Sequence, residues 1–494
     1  MENSYQKFAK DILIIGVTNL LVTLSALILL SLLTKTIGAQ GYGMWAQVDV
    51  TIQLAIGIVG LGLPFALSRF LAAETDKGKL QDGFYSAFTI VTLAALAASI
   101  LLILVAKPVA AAFFAGATQI VRITGLIVLV WSLDLMLLGL FRARRQMRSY
   151  AIFMIATKFG EVGLIAYLVL NGHGILSVIL CLLAVRTLIF LALFFFVKSQ
   201  IGIKRPRFCT SREYLSFSLP TIPGLISDWV VASSDRYIIG YFLGVTSVGI
   251  YSASYNLGIL PLVLAGVLGF VLPPTLSKLY DEGRMNEVKT LLSYSLKYLL
   301  MIAIPFVCGA AVLSKQVLRL FSTSEIASQG YYVVPVVALA TLLVCICIPF
   351  DEILVLVKKT KIGGIACTLA ALINLGLNLL IVPIWGILGA AITTLIAYSV
   401  LVAIEVHYSL KEFRFDIDWR FIIKSLIASA IMTLVIWSMH PQSNLNIIIT
   451  ALVGVAVYGA AIFLLRGFAK EEISFFRGLV QRGGPAANSD DKAK

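Results

Sequence analysis

Charge is what this 494-residue chain has least of: Asp, Glu, Lys and Arg make up 13 % of it, against 60 % hydrophobic residues. A soluble protein carries about a quarter of its residues as charges, so a soluble globular chain is excluded. Histidine is nearly missing. The three present, His173, His407 and His440, stand in no ligand spacing and offer no metal centre. The six cysteines fall mostly inside apolar runs, and Cys345 and Cys347 would face opposite sides of a helix, so they read as small hydrophobic filler. No Gly-rich phosphate loop followed by Lys-Ser/Thr is present, which excludes a built-in ATP motor. Long alternating segments of the outer-membrane barrel type are lacking too, and the fold is therefore helical. No loop is long enough for a catalytic domain, and no constellation of catalytic groups is found, so an enzyme is not expected.

What is there is apolar sequence in helix-length runs. The run Ile12 to Thr34 carries no charge and, at ~1.5 Å per residue, extends ~35 Å, enough to cross a hydrocarbon core. It is too long for a signal-peptide core and has no small-residue cleavage pattern after it. Runs of this kind recur about fourteen times along the chain. The formal charge of +14 sits in the short breaks between them, a placement that argues against nucleic acid as a partner. Arg142, Arg144, Arg145 and Arg148, Lys198 to Arg212, and Lys358, Lys359 and Lys361 all fall on the side of the termini. Lys35, Lys107, Lys315 and Arg319 are among the few on the other. That asymmetry places both termini in the cytoplasm of a multi-pass protein of the cytoplasmic (inner) membrane.

The stretch Ser216 to Lys278 shows how the runs are organised. Leu-Gly-x-x-x-x-Gly-x-Tyr at 243–251 matches Ile-Gly-x-x-x-x-Gly-x-Trp at 37–45, and Leu-Pro-Pro-Thr-Leu-Ser-Lys at 272–278 matches Leu-Pro-Phe-Ala-Leu-Ser-Arg at 63–69. Gly-Ile-Leu-Gly at 386–389 echoes Gly-Ile-Leu-Ser at 174–177, all at an offset of about 210 residues. The expected architecture is an all-α integral membrane protein of about fourteen transmembrane helices, in two six-helix lobes related by the repeat plus two C-terminal helices. Its parts are an N-lobe at 1–197, a basic cytoplasmic connector at 198–214, a C-lobe at 215–406, two further spans within 421–466 and a cytoplasmic tail at 467–494. Doubling of this kind in a membrane points to a transporter.

Charges inside spans are costly and each is a functional candidate unless paired. They include Asp49, Arg122, Asp134, Lys158, Glu161 and Arg186 in the first half, and Asp228 and the Asp235–Arg236 pair in the second, the latter in a short polar break at Ser233 to Arg236. Lys158 and Glu161, three apart, share a helix face and either neutralise each other or line a cavity. Asp134, Arg186 and Asp228 have no partner nearby in sequence. They fit a water-filled cavity or an inter-helix contact, and the acids could bind Na⁺ or a proton as coupling ion. No other cofactor is implied. Pro64 and Pro273, at the repeated span ends, and Pro220 and Pro223, in the seventh span, are hinge candidates, because proline frees a backbone carbonyl and permits a bend.

The block FSLPTIPGLISDWVVASSDRYIIGYFLGVTSVGIYSASYNLG and the amino-terminal LLTKTIGAQGYGMWAQV resemble the corresponding regions of the polysaccharide transporter (oligosaccharide/O-antigen flippase) family. Its superfamily also holds multidrug extrusion proteins and the lipid II flippase. The resemblance implies two bundles around a central cavity, and alternating-access flipping of a polyprenyl-diphosphate-linked oligosaccharide for polysaccharide biosynthesis. Membrane lipids and other polysaccharide assembly proteins would be partners. It further implies cavity cations for the anionic head, for which Arg122, Lys158, Arg186 and Arg236 are the candidates here. Asp49, Asp134, Glu161 and Asp228 are the acidic candidates. A cation-coupled extruder of organic cations is the alternative, since an acidic cavity would serve it.

Overall fold

The computed structural model describes residues 2–72 and 74–468, so the expected tail at 467–494 lies almost wholly outside the described residues. The first half of the chain runs through α1 (Glu2–Val59), α2 (Leu63–Phe70), α3 (Lys77–Leu104), α4 (Ala106–Phe113), α5 (Thr118–Ala143), α6 (Met147–Leu170) and α7 (Ile175–Ile201). The second half begins with α8 (Ser211–Ser218), α9 (Ile222–Leu243), α10 (Val245–Gly258), α11 (Leu262–Asp281) and α12 (Met285–Phe321). It ends with α13 (Ser324–Gly330), α14 (Val333–Leu356), α15 (Thr360–Glu412), α16 (Trp419–Met439) and α17 (Asn444–Leu464). No strand occurs among the described residues. A bilayer offers no water to unpaired backbone groups, and helices satisfy them within the segment.

Eleven of the described helices are long and apolar enough to cross a membrane, against the fourteen or so spans expected. The difference has identifiable causes. The apolar part of α1 runs 46 residues and α15 runs 53, each about twice a bilayer crossing. Each is interrupted at a glycine with positive φ, Gly38 (φ 72°) and Gly386 (φ 62°), a conformation that glycine reaches without a Cβ clash. The segment at 245–281 is divided between α10 and α11, and Pro273 and Pro274 lie inside α11. The polar break expected at Ser233 to Arg236 is not a break. All four residues are buried inside a continuous α9, because the charges of Asp235 and Arg236 pair with each other at 2.9 Å.

Large apolar side chains such as Leu104, Ile384 and Leu464 are exposed around the outside, as a lipid-facing surface requires. The interior is shared between the two halves: Leu30, Leu33, Ile239, Val248, Tyr251 and Val337 belong to one buried cluster. Along its first residues the connector is strapped to α3. The Gln81 side chain donates to the Ile201 carbonyl, and the Tyr85 hydroxyl to that of Gly202 at 2.5 Å. The backbone N–H groups of Arg207 and Phe208 donate to Asp82 (2.6 Å) and Ser86 (3.1 Å). Beyond the strap, Tyr214 of α8 stacks on Phe70 of α2 at 4.9 Å. At the far end of the chain, α16 is tied to α12 through Lys297, which is buried, lies 3.6 Å from Asp418 and sits over the Phe421 ring.

Asp76 caps α3. Its carboxylate accepts from the backbone N–H groups of Gly78 (2.6 Å) and Lys79 (3.0 Å), and these bonds hold its pKa below the ordinary 3.8. A depressed folded-state value means the cap is intact above the ordinary value and lost as pH falls through the lowered one. Hydrogen exchange at Gly78 and Lys79, corrected for intrinsic rate, should accelerate only below about pH 4. In Asp76→Ala it should be fast at every pH.

A polar cavity with a buried charge cluster in its wall

Three helices bring the first charge cluster together. Trp131 and Asp134 lie three apart on α5, and Lys158 and Glu161 three apart on α6, so each pair presents to one side. Arg186 of α7 reaches between them. Its Nε lies 2.7 Å from a Glu161 oxygen, and its guanidinium stacks over the Trp131 ring, 3.5 Å from the centroid. The other Glu161 oxygen accepts from Lys158 Nζ at 3.0 Å. Asp134 is the outlying member: it approaches Arg186 no closer than 3.9 Å, and neither of its oxygens has a hydrogen-bond partner. The side chains of Asp134, Glu161 and Arg186 are at most 5 % exposed, whereas that of Lys158 is 29 % exposed.

Lys158 therefore carries the cluster's charge into a cavity of about 520 Å³ between the two halves. Its polar lining includes Asn19, Tyr42, Asp49, Glu161 and Asn256. Asp49 accepts from Gln53 at 2.6 Å, and Asn256 donates to the Tyr42 hydroxyl at 2.9 Å across the halves. A second cavity of about 580 Å³, almost wholly apolar, is lined by Met301, Phe306, Met432, Val455 and Phe463 between α12, α16 and α17, and Leu260 lines both cavities.

The other expected residues fall elsewhere. Arg236 is buried beside Asp235, with its guanidinium 4.1 Å from the Tyr255 centroid, and the Tyr251 hydroxyl donates to the same Asp235. Arg186 is likewise buried among its ion pairs, and with Asp134 and Lys158 it lines a smaller cavity of about 190 Å³. Arg122 is exposed in the first turns of α5. Asp228 is exposed and accepts from the Cys367 thiol at 2.9 Å. Pro64 and Pro223 stand in the first turns of α2 and α9, Pro220 in a 3₁₀ turn just before α9, and Pro273 within α11.

A neutral cluster escaped the sequence reading. Asn378 donates to Asn374 at 3.0 Å, Thr393 donates to Asn378 at 2.7 Å, and Asn374 lies 3.4 Å from Thr394; all four are fully buried. The available signal was the pair of asparagines four apart in the otherwise apolar run Leu369 to Pro383.

Glu161 neutralises two cations at once, so Glu161→Gln should destabilise the fold by roughly 3–5 kcal/mol in thermal or denaturant unfolding, the cost of stranding a buried charge. Combining it with Arg186→Met should cost less than the sum of the two single changes.

Comparison with known proteins follows the same lines. A family described as polysaccharide biosynthesis protein matches residues 8–280, and a second, MatE, matches residues 211–380. The probable low-salt glycan biosynthesis flippase Agl15 of Haloferax volcanii is 21 % identical over 52 % of this chain, a match that spans only 54 % of that protein's length. The succinoglycan biosynthesis transport protein ExoT of Rhizobium meliloti is 25 % identical over 93 % of both chains. Among solved structures, lipid II flippase MurJ in an inward closed conformation superposes with a TM-score of 0.75 at 19 % identity, covering 95 % of this chain and 99 % of that one. An inward-facing multidrug resistance MATE transporter gives 0.67 at 13 % identity, over 80 % of this chain and 97 % of its own. The chain belongs to the polysaccharide biosynthesis protein family, as a multi-pass membrane protein with the fold of MurJ and the MATE transporters.

Proposed function

We propose that this protein flips a polyprenyl-diphosphate-linked oligosaccharide from the inner to the outer leaflet of the cytoplasmic membrane by alternating access. The observation that carries the reading is the pairing of a polar cavity lined by Lys158 with an apolar one, Leu260 standing in the lining of both. Such a substrate has three parts with three solvents. The diphosphate needs a cation, the sugars need hydroxyl and amide partners of the kind Asn19, Tyr42 and Asn256 supply, and the prenyl chain needs hydrocarbon. On this reading α1 and α15 each cross twice about their glycines, α10 and α11 make one crossing together, and fourteen spans form two lobes with two spans added. Both termini are cytoplasmic. A Na⁺ or H⁺ gradient drives the cycle through carboxylates, with the buried Asp134 the candidate in the first half and the exposed Asp228 in the second. The prolines Pro64, Pro220, Pro223 and Pro273 are the points of bending.

A second reading has an observation of its own. Asp49 and Glu161 line the same cavity as Lys158, and an acidic wall suits an organic cation in a drug extruder.

Proteoliposomes holding a fluorescent polyprenyl-diphosphate oligosaccharide, read by loss of access to an external quencher, separate the two. Flipping should depend on the protein and on an imposed Na⁺ or H⁺ gradient. Lys158→Ala should slow it by about ten- to a hundredfold, the worth of one charge-assisted contact, and Lys158→Arg should restore most of it. Transport of a labelled organic cation with no movement of the glycolipid would instead establish the extruder. An unchanged rate in Lys158→Ala would remove this lysine from the route.

A further inference from the structure

The glycines of the internal repeat touch each other. Gly38 and Gly244 occupy equivalent places and have nearly the same backbone, φ 72° and ψ −174° against φ 83° and ψ 168°. Five residues on from each come Gly43 and Gly249. A Cβ on Gly43 would lie 2.0 Å from the carbonyl oxygen of Val245, and a Cβ on Gly249 would lie 2.0 Å from that of Ala39. Ala39 and Val245 are themselves equivalent positions of the repeat. The contact is thus made twice, once from each side, with each half offering the same carbonyl and the same glycine to its counterpart. Both obstacles are backbone oxygens, so no side-chain rotation relieves them, and a methyl group at either site forces the two helices apart by about 1 Å or more.

The surroundings tie this seam to the meeting of the halves. Beside it the Thr51 and Tyr237 hydroxyls bond at 2.6 Å, and the Trp229 indole donates to the Val50 carbonyl at 3.1 Å. Gln47 is buried next to Gly240 of the other half with neither amide atom hydrogen-bonded. On the proposed topology the kink at Gly38 stands where α1 reaches the outer side, and Tyr42, next to Gly43, lines the polar cavity.

We propose that Gly43 and Gly249 form the closing surface of the outer gate, a backbone-on-backbone contact made in the state seen here and broken when the cavity opens to the other side. The proposal rests on the alternating-access reading. Small residues let two helix backbones approach within carbonyl-to-Cα distance, and a seam without interlocking side chains parts and re-forms with no rotamer to unlatch. The repeat supplies both copies, so the two glycines are equivalent and either alone is enough to block closure.

Hydrogen exchange by mass spectrometry, on the full chain in lipid nanodiscs, reads the gate with no substrate present. Gly43→Ala and Gly249→Ala should each accelerate exchange in segments 39–50 and 245–256 by at least about tenfold, to similar extents, with the remaining helices unchanged. Gly57→Ala and Gly163→Ala, where an added Cβ meets nothing within 4 Å, should leave these segments protected. Should the alanine variants fail to fold, Tyr42→Phe removes the Asn256 bond beside the seam without adding bulk, and should loosen the same two segments more weakly. Protection unchanged in the folded glycine variants, or in Tyr42→Phe where they do not fold, would overturn the proposal. So would equal acceleration in the two control variants. A gate that loosens in these variants while the unaltered protein moves no substrate in liposomes would count against the transport reading and leave the gate standing.

Discussion

A single carboxylate holds the polar part of this protein in place. Glu161 lies between Lys158 and Arg186 with one oxygen for each, and through them it positions a charged wall built from three helices. In a low-dielectric interior an unpaired ion costs several kcal/mol, so each member of the cluster fixes the rotation of the helix that carries it. The Trp131 ring closes one face of the Arg186 guanidinium, and the arginine is consequently a structural cation. Lys158, with the same carboxylate behind it, keeps part of its ammonium in the cavity. On the proposed reading, two cations of equal formal charge thus divide into an anchor and a working group according to which side of Glu161 each occupies.

The two cavities give that working group its context. A charge in a polar chamber would suit many small ions, and an apolar groove would suit many lipids. That Leu260 lines both is what favours, on the proposed reading, a ligand with an ionic head and a hydrocarbon tail. The last two described helices, α16 and α17, supply much of the apolar wall.

Much of this was legible in the sequence, and the limits have physical reasons. Apolar run length exposed the membrane fold, and the matched glycines at 38, 43, 244 and 249 exposed the repeat. The i, i+3 spacing of Lys158 and Glu161 correctly placed them side by side. Arg186 and Glu161 are 25 positions apart on different helices, and nothing in hydropathy fixes the relative rotation of two helices that are apolar all round. For the same reason the acid that each of Arg186 and Arg236 faces was not legible in advance, except that Asp235 is adjacent to Arg236 in the chain. Asn374, Asn378, Thr393 and Thr394 went unnoticed because attention to charge passes over neutral groups, although four buried amides and hydroxyls need partners as surely as ions do.

The strap along α3 bears on how the two halves can turn. Residues 201–208 are bonded to Gln81, Asp82, Tyr85 and Ser86 and therefore travel with the first half as part of its body. The covalent freedom between the halves shrinks to the dihedrals around α8 and the 3₁₀ turn, where Pro220 and Pro223 have already fixed two of the φ angles. If the halves turn as proposed, a joint with so few soft torsions would act like a door hinge, directing the path as much as the surfaces that meet.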